Sequence, residues 1–136
     1  MEVKNQVQPG TSQIQEFIKV EGAVMMVNLL KFREKAKYPD GRDPELSGKE
    51  AYHRYASVMK TLVEAAGGRF VFAADCKGLL LGEVEELWDQ VGIVEYPSSK
   101  ELLRIASSPD FQAIEEHRLA GLAGQLNITC SESAFG

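Results

Sequence analysis

The sequence predicts an α+β fold in which one antiparallel sheet carries its helices on a single face. Three observations predict it. Residues 23–33 read Ala-Val-Met-Met-Val-Asn-Leu-Leu-Lys-Phe-Arg, an apolar run too short to span a membrane and suited to a central strand covered on both faces. Helix-start signals recur at Ser47, Ser98 and Ser108, each ahead of apolar residues at helical spacing. Between and after those helices lie stretches that alternate apolar and polar residues, the signature of half-buried strands.

Residues 1–10 are polar, carry Pro9-Gly10 and are expected to form a loose lead-in. Ser12 with Gln15 resembles a capping box, and Ile14, Phe17 and Ile18 share a helical face, so an N-terminal helix is expected over residues 11–22. In the central strand the pleat separates Met25, Val27, Leu29 and Lys31 from Val24, Met26, Asn28 and Leu30. Asn28 is the anomaly, because a buried amide needs a core partner, a water or a ligand. Residues 34–46 hold Pro39-Asp40-Gly41 and Asp43-Pro44 and are long for a connection, so they read as a lid or a solvated excursion.

Ser47 and Glu50 form a capping box for a helix with Ala51, Tyr55, Val58, Met59, Leu62, Val63 and Ala66 on one face, stopped by Gly67-Gly68. Residues 69–81 follow as a strand, Phe70, Phe72, Ala74 and Cys76 opposite Val71, Ala73 and Asp75, with a bulge expected at Lys77-Gly78. Residues 82–86 turn the chain into a hairpin partner over 88–96, ended by Pro97. Ser98 and Glu101 open a short helix, and Ser108-Pro109-Asp110 opens another whose face holds Phe111, Ile114, Arg118 and Leu122. Glycines 121 and 124 close it, Leu126, Ile128 and Cys130 mark the last strand, and residues 132–136 are a tail.

Without its first helix the order is the ferredoxin-like βαββαβ, here a core over residues 23–131 of a single domain, with a short extra helix before the last strand. Right-handed crossovers put both long helices on one side of the sheet. The other side is apolar and uncovered, which predicts a homodimer whose two sheets close into a dimeric α+β barrel. Cys76 and Cys130 then lie near opposite edges, too far apart for an intrachain disulfide.

Composition narrows the function. A net charge of −5 over 136 residues argues against a nucleic-acid surface. Two cysteines and two histidines make no structural metal site, so no metal and no cofactor is expected. Without an apolar span or a signal segment, no membrane partner and a cytoplasmic location are expected. Nucleophile elbows, phosphate loops and dinucleotide fingerprints are missing.

Several short motifs occur in order: Asn28-Leu29-Leu30-Lys31-Phe32-Arg33, Tyr38-Pro39-Asp40-Gly41, Ser47-Gly48 before Tyr52 and Tyr55, and Gly67-Gly68-Arg69. Trp88-Asp89, Tyr96-Pro97-Ser98 and Ser108-Pro109-Asp110-Phe111 running to His117-Arg118 complete them. With these motifs the chain resembles the domain of unknown function (DUF) family 1330. The resemblance implies the dimeric α+β barrel superfamily and brings no reaction, since neighbouring families include monooxygenases, lactone isomerases, haem-handling proteins and ligand sensors.

Candidate site residues follow from side-chain chemistry. Asn28 can bind a ligand carbonyl inside the barrel or serve as a core amide. Lys31 and Arg33 share a pleat at the strand end and form a positive rim for an anion. Trp88 offers an aromatic wall, Tyr52 a hydroxyl, His117 a general base and Arg118 an anion clamp. Adjacent helical residues point about 100° apart, so His117 and Arg118 are not expected to act together. Three functions stay open: a cofactor-free oxygenase or isomerase acting on an apolar oxygen-bearing substrate, a non-catalytic small-molecule ligand-binding or sensing protein, and a haem or cofactor carrier using His117.

Overall fold

The computed structural model describes residues 3–132. Its elements run α1 (Thr11–Phe17), β1 (Val24–Phe32), α2 (Gly48–Ala65), β2 (Arg69–Asp75), β3 (Gln90–Tyr96), α3 (Ser99–Ala106), α4 (Pro109–Gly121) and β4 (Leu122–Cys130). All sheet neighbours are antiparallel, in the order β2-β3-β1-β4. This is the expected ferredoxin-like α+β arrangement, and β2 and β4 are its edges. Both cysteines are free.

The core forms where the even pleat of β1 meets α2 and α4. Val24 and Met26 are buried there with Tyr55, Met59, Val63 and Ile114. Ser47 caps α2 as its spacing with Glu50 requires: its side chain accepts the Glu50 amide at 3.0 Å, and Glu50 accepts the Ser47 amide at 3.1 Å. Ala51, Tyr55, Met59 and Val63 line the buried stripe, but Val58, expected beside them, is 40% exposed. Gly67, at φ +87°, ends the helix in the left-handed conformation that glycine tolerates. At the other end α2 meets α4 main chain to main chain. A Cβ on Gly48 would lie 2.7 Å from the Gly121 carbonyl, and one on Gly121 would lie 2.9 Å from the Tyr52 amide.

Four expectations need correction. First, α1 ends at Phe17, short of residue 22, and its N-cap is Gly10 rather than Ser12, because the Gln13 side chain turns back to accept the Gly10 amide at 2.8 Å. Second, residues 34–46 are largely exposed, as a solvated loop would be, but they are anchored rather than loose. Ala36 and Tyr38 are buried against Ala51 and Ala120, and the amides of Ala36 and Lys37 donate to the carbonyls of Leu46 and Ala120. Third, the bulge lies at Val71 rather than at Lys77-Gly78. It sets two residues against one, so Phe70 stays under the helices while Phe72 turns to the opposite face. Fourth, β2 stops at Asp75 and β3 starts at Gln90, so the expected strand over Leu79, Leu80 and Leu81 is a projecting loop of residues 76–89.

The lead-in is also tied down. The Val7 carbonyl accepts from Arg118 at 2.7 Å, Gln8 donates to Glu115 at 3.1 Å, and Asn5 fills the space beside Gly124. Residues 1–2 and most of the expected tail, 133–136, lie outside the described residues.

The odd pleat has no helix on it among the described residues. Val27, Leu29, Val91, Ile93, Leu126 and Phe72 share that face, and all are half-buried or exposed.

Candidate functional site

β4 begins at Leu122, directly after α4, four residues earlier than the alternation from Leu126 suggested. That early start puts Gln125 opposite Leu30 on the helix-covered face, where it is buried. A buried amide must be paired, and Gln125 is paired on both sides. Its Nε2 donates to Asn28 Oδ1 at 2.8 Å, and its Oε1 accepts from Arg118 Nη2 at 2.8 Å. Asn28 Nδ2 donates to the Met26 and Gly92 carbonyls, both at 3.3 Å. Asn28 is therefore a satisfied amide on the helix side of the sheet, not a group facing the uncovered side where two sheets would meet. It reaches Arg118 only through Gln125.

Arg118 stands where this chain of bonds opens to a cleft of about 250 Å³. The cleft lies between the N-terminal segment, α1, α3 and β4. Ile14, Phe17, Met26 and Leu102 give it an apolar wall, and Arg118, Gln125, Asn127 and Thr129 a polar one. One nitrogen of Arg118, Nη2, donates to Val7 and Gln125. A guanidinium has five N–H donors, and those on Nε and Nη1 have no protein partner among the described residues. No carboxylate of the described residues lies within ion-pair distance of it. The spacing of Arg118 with Phe111 and Ile114 on one helical face anticipated this placement.

His117 lies on another side of α4, and its partner was missed. Tyr38 Oη is 2.7 Å from His117 Nδ1, and Arg54 Nη1 donates to the same oxygen at 3.3 Å. The Tyr38 hydroxyl proton is then free for Nδ1, which calls for the neutral imidazole. Burial holds His117 below its usual pKa, with Arg54 and Arg42 acting in the same direction and Glu116 opposing them. Arg42 stacks 4.1 Å over the Tyr38 ring and donates to Glu116 at 2.6 Å, and Arg54 donates to Asp43 at 2.9 Å. Every charge in this cluster has a partner, and the cluster fastens residues 34–46 to α4. Tyr38 belonged to one of the quoted motifs, but its place in a loop hid a contact 79 residues away in sequence.

The remaining candidates do not join the cleft. Tyr52 is packed between Phe32 and Tyr55, with ring centroids 5.5 and 5.3 Å away, and burial pushes its hydroxyl up to about 12. A phenol held that high is no base near neutrality. Lys31 and Arg33 form no positive rim. Lys31 is bound to Glu86 at 3.1 Å and Asp89 at 3.2 Å, which raise its pKa, whereas Arg33 is exposed beyond the strand end. Trp88 lies before β3, not within it. With Lys31, Glu83 and Glu86 it borders a broad groove of about 960 Å³. Asp89, beside Trp88 in its motif, ties this corner together. Its Oδ2 accepts the Phe32 amide at 2.8 Å, its own amide donates to the Leu30 carbonyl, and its carbonyl accepts from Cys76.

Comparison with known proteins agrees with this architecture. The family model described as "Domain of unknown function (DUF1330)" matches residues 44–129, more than half of the chain. The Asn28 and Tyr38 motifs precede that match. A crystal structure of the methylated RPA0582 protein is similar at 29% identity and TM-score 0.87, covering 98% of this chain and 99% of that one. A second RPA0582 structure, described as a protein of unknown function from Rhodopseudomonas palustris, gives 28% identity and TM-score 0.84, with 96% and 98% covered. A dabb family protein with a ferredoxin-like fold from Mesorhizobium loti shares the fold at 12% identity and TM-score 0.53, with 84% and 100% covered. A search of curated proteins finds no match.

Proposed function

The chain belongs to the DUF1330 family, and from that premise we propose that it is a single-domain, homodimeric small-molecule-binding protein. Its ligand is an apolar compound bearing a carbonyl or carboxylate, held in the Arg118 cleft. One observation carries the reading: a guanidinium that, among the described residues, has unpaired donors and no carboxylate within ion-pair distance, with an apolar wall opposite. A planar fork of donors in a half-buried site is suited to a carboxylate or carbonyl oxygen. At about 250 Å³ the cleft is somewhat smaller than the usual ligand pocket of about 300–1,000 Å³, so the compound is small.

The uncovered apolar sheet face supports the homodimer, since two such faces can bury one another about a two-fold axis. Binding without turnover is preferred over oxygenation or isomerisation. Proton transfer needs a base within reach of the substrate, and His117 is turned to Tyr38 on another side of α4. A haem carrier role for His117 meets the same objection, because one ring nitrogen is engaged by Tyr38 and neither cavity is lined by the ring. Solved proteins of similar fold include SnoaB, a cofactor-independent oxygenase from Streptomyces nogalater, at 16% identity and TM-score 0.50, with 84% of this chain and 98% of that one covered. That likeness concerns the fold.

Equilibrium dialysis against a mixture of short aliphatic and aromatic carboxylic acids, read by mass spectrometry, tests the proposal. Retention of one or more acids by the wild type, lost in a folded Arg118→Met variant, is expected. Equal retention by both proteins would move the site out of the cleft, and none by either would remove the ligand class.

A further inference from the structure

The loop of residues 76–89 combines a fastened base with an exposed apolar tip. Its base is clamped to the end of β1. The Cys76 amide donates to the Asp89 carbonyl at 2.9 Å, and the Asp89 amide to the Leu30 carbonyl at 2.8 Å. Lys31 Nζ adds bonds to the Leu87 carbonyl and to the Glu86 and Asp89 carboxylates. Its tip presents Leu79, Leu80 and Leu81, which are 52%, 96% and 85% exposed. Leucines displayed at the end of a fastened arm signal a surface that another molecule covers.

Position and area identify that molecule as a second copy of this chain, and here the inference rests on the dimer reading above. Lys31 belongs to the uncovered pleat of β1, so the arm it anchors rises at the rim of the uncovered sheet face. A molecule that covers the face comes close to the base of the arm. The four strands hold 9, 7, 7 and 9 residues, so one face of the sheet presents roughly 500 Å² in projection. A stable interface takes about 800 Å² from each partner. A flat projection understates accessible surface, so the sheet face supplies a large part of that area, and an arm carrying three exposed leucines adds apolar area of the right kind. An anionic membrane surface fits less well, because Glu83, Glu85 and Glu86 follow the leucines and the chain carries a net charge of −5.

We propose that the arms are exchanged in the homodimer, Leu79, Leu80 and Leu81 of each chain packing on the other chain beside the uncovered sheet face. The arm then strengthens a dimer that the sheet face orients. Sedimentation equilibrium on the full chain, comparing wild type with a Leu80→Ser/Leu81→Ser double variant, tests this. Both leucines are so exposed that serine leaves the folded chain intact, which a circular dichroism spectrum checks. The expected result is a wild-type dimer and a dimer dissociation constant raised about 100-fold or more in the variant. An unchanged constant would remove the arm from the interface and leave the sheet-to-sheet dimer standing. A wild type that stays monomeric at high concentration would overturn both together. Leucine-dependent flotation of the wild type with phosphatidylcholine vesicles would overturn the exchange in favour of a lipid surface.

Discussion

Asn28, Gln125 and Arg118 form a chain in which removing one side chain strands an atom of the next. Asn28→Leu leaves Gln125 Nε2 without its acceptor, at a cost of about 1–3 kcal/mol for a buried group deprived of its partner. Urea unfolding of the variant is expected to show that loss, and an unshifted midpoint would contradict the bond. The sequence favours a ligand for Asn28 because its core partner does not show there: Gln125 lies 97 residues away, just before Leu126, where the last strand is expected to start. His117 carries a pH prediction. Its folded pKa lies below the ordinary histidine value of about 6.5, chiefly through burial, so the unfolded chain binds the extra proton first. Its contribution to stability is complete above about pH 6.5 and is lost as pH falls through the folded value. Unfolding midpoints measured from pH 8 to 5 should fall more steeply for the wild type than for His117→Gln; parallel curves would separate the imidazole from the lock on residues 34–46.

At the scale of elements, the close approach of α2 and α4 decides how residues 34–46 are held. The Arg33 amide donates to the Gly121 carbonyl at 2.8 Å, and the Gly48 amide to the Arg33 carbonyl at 3.1 Å, in a crossing too tight for a side chain. Gly121→Ala is expected to cost about 1–3 kcal/mol or more through overpacking of main chain that cannot yield. Thermal melting reads the effect, and a wild-type midpoint would mean that the helices can part. The helices themselves were legible because caps and apolar spacing are local, as Ser47 with Glu50 shows. The Val71 bulge was not, since a strand's register depends on Ile93 and Val94 across the sheet and Phe70 and Phe72 look alike in sequence. Leu79, Leu80 and Leu81 read as strand for a related reason: apolar runs and strands share a pattern, and only the clamp at Asp89 separates arm from sheet.

For the whole molecule, the one-sided helices were legible from element order, and the apolar face left over was the part that pointed to a partner. Val27→Asp now has a defined outcome. The position is half-buried on the uncovered face, so in a single chain the charge can reach water, whereas between two sheets it would be buried unpaired. A folded monomer is expected by sedimentation velocity, and a persisting dimer would move the interface elsewhere. The cleft was less legible than the face, because it joins Arg118 to Gln125 and to an N-terminal segment whose sequence offers no helical or strand pattern. Native mass spectrometry of the purified protein bears on both halves of the account in one spectrum. The expected spectrum shows twice the chain mass carrying a small acid or carbonyl compound in each copy, with the compound alone lost from Arg118→Met; a bare single-chain mass, or a compound retained by that variant, would contradict the liganded homodimer.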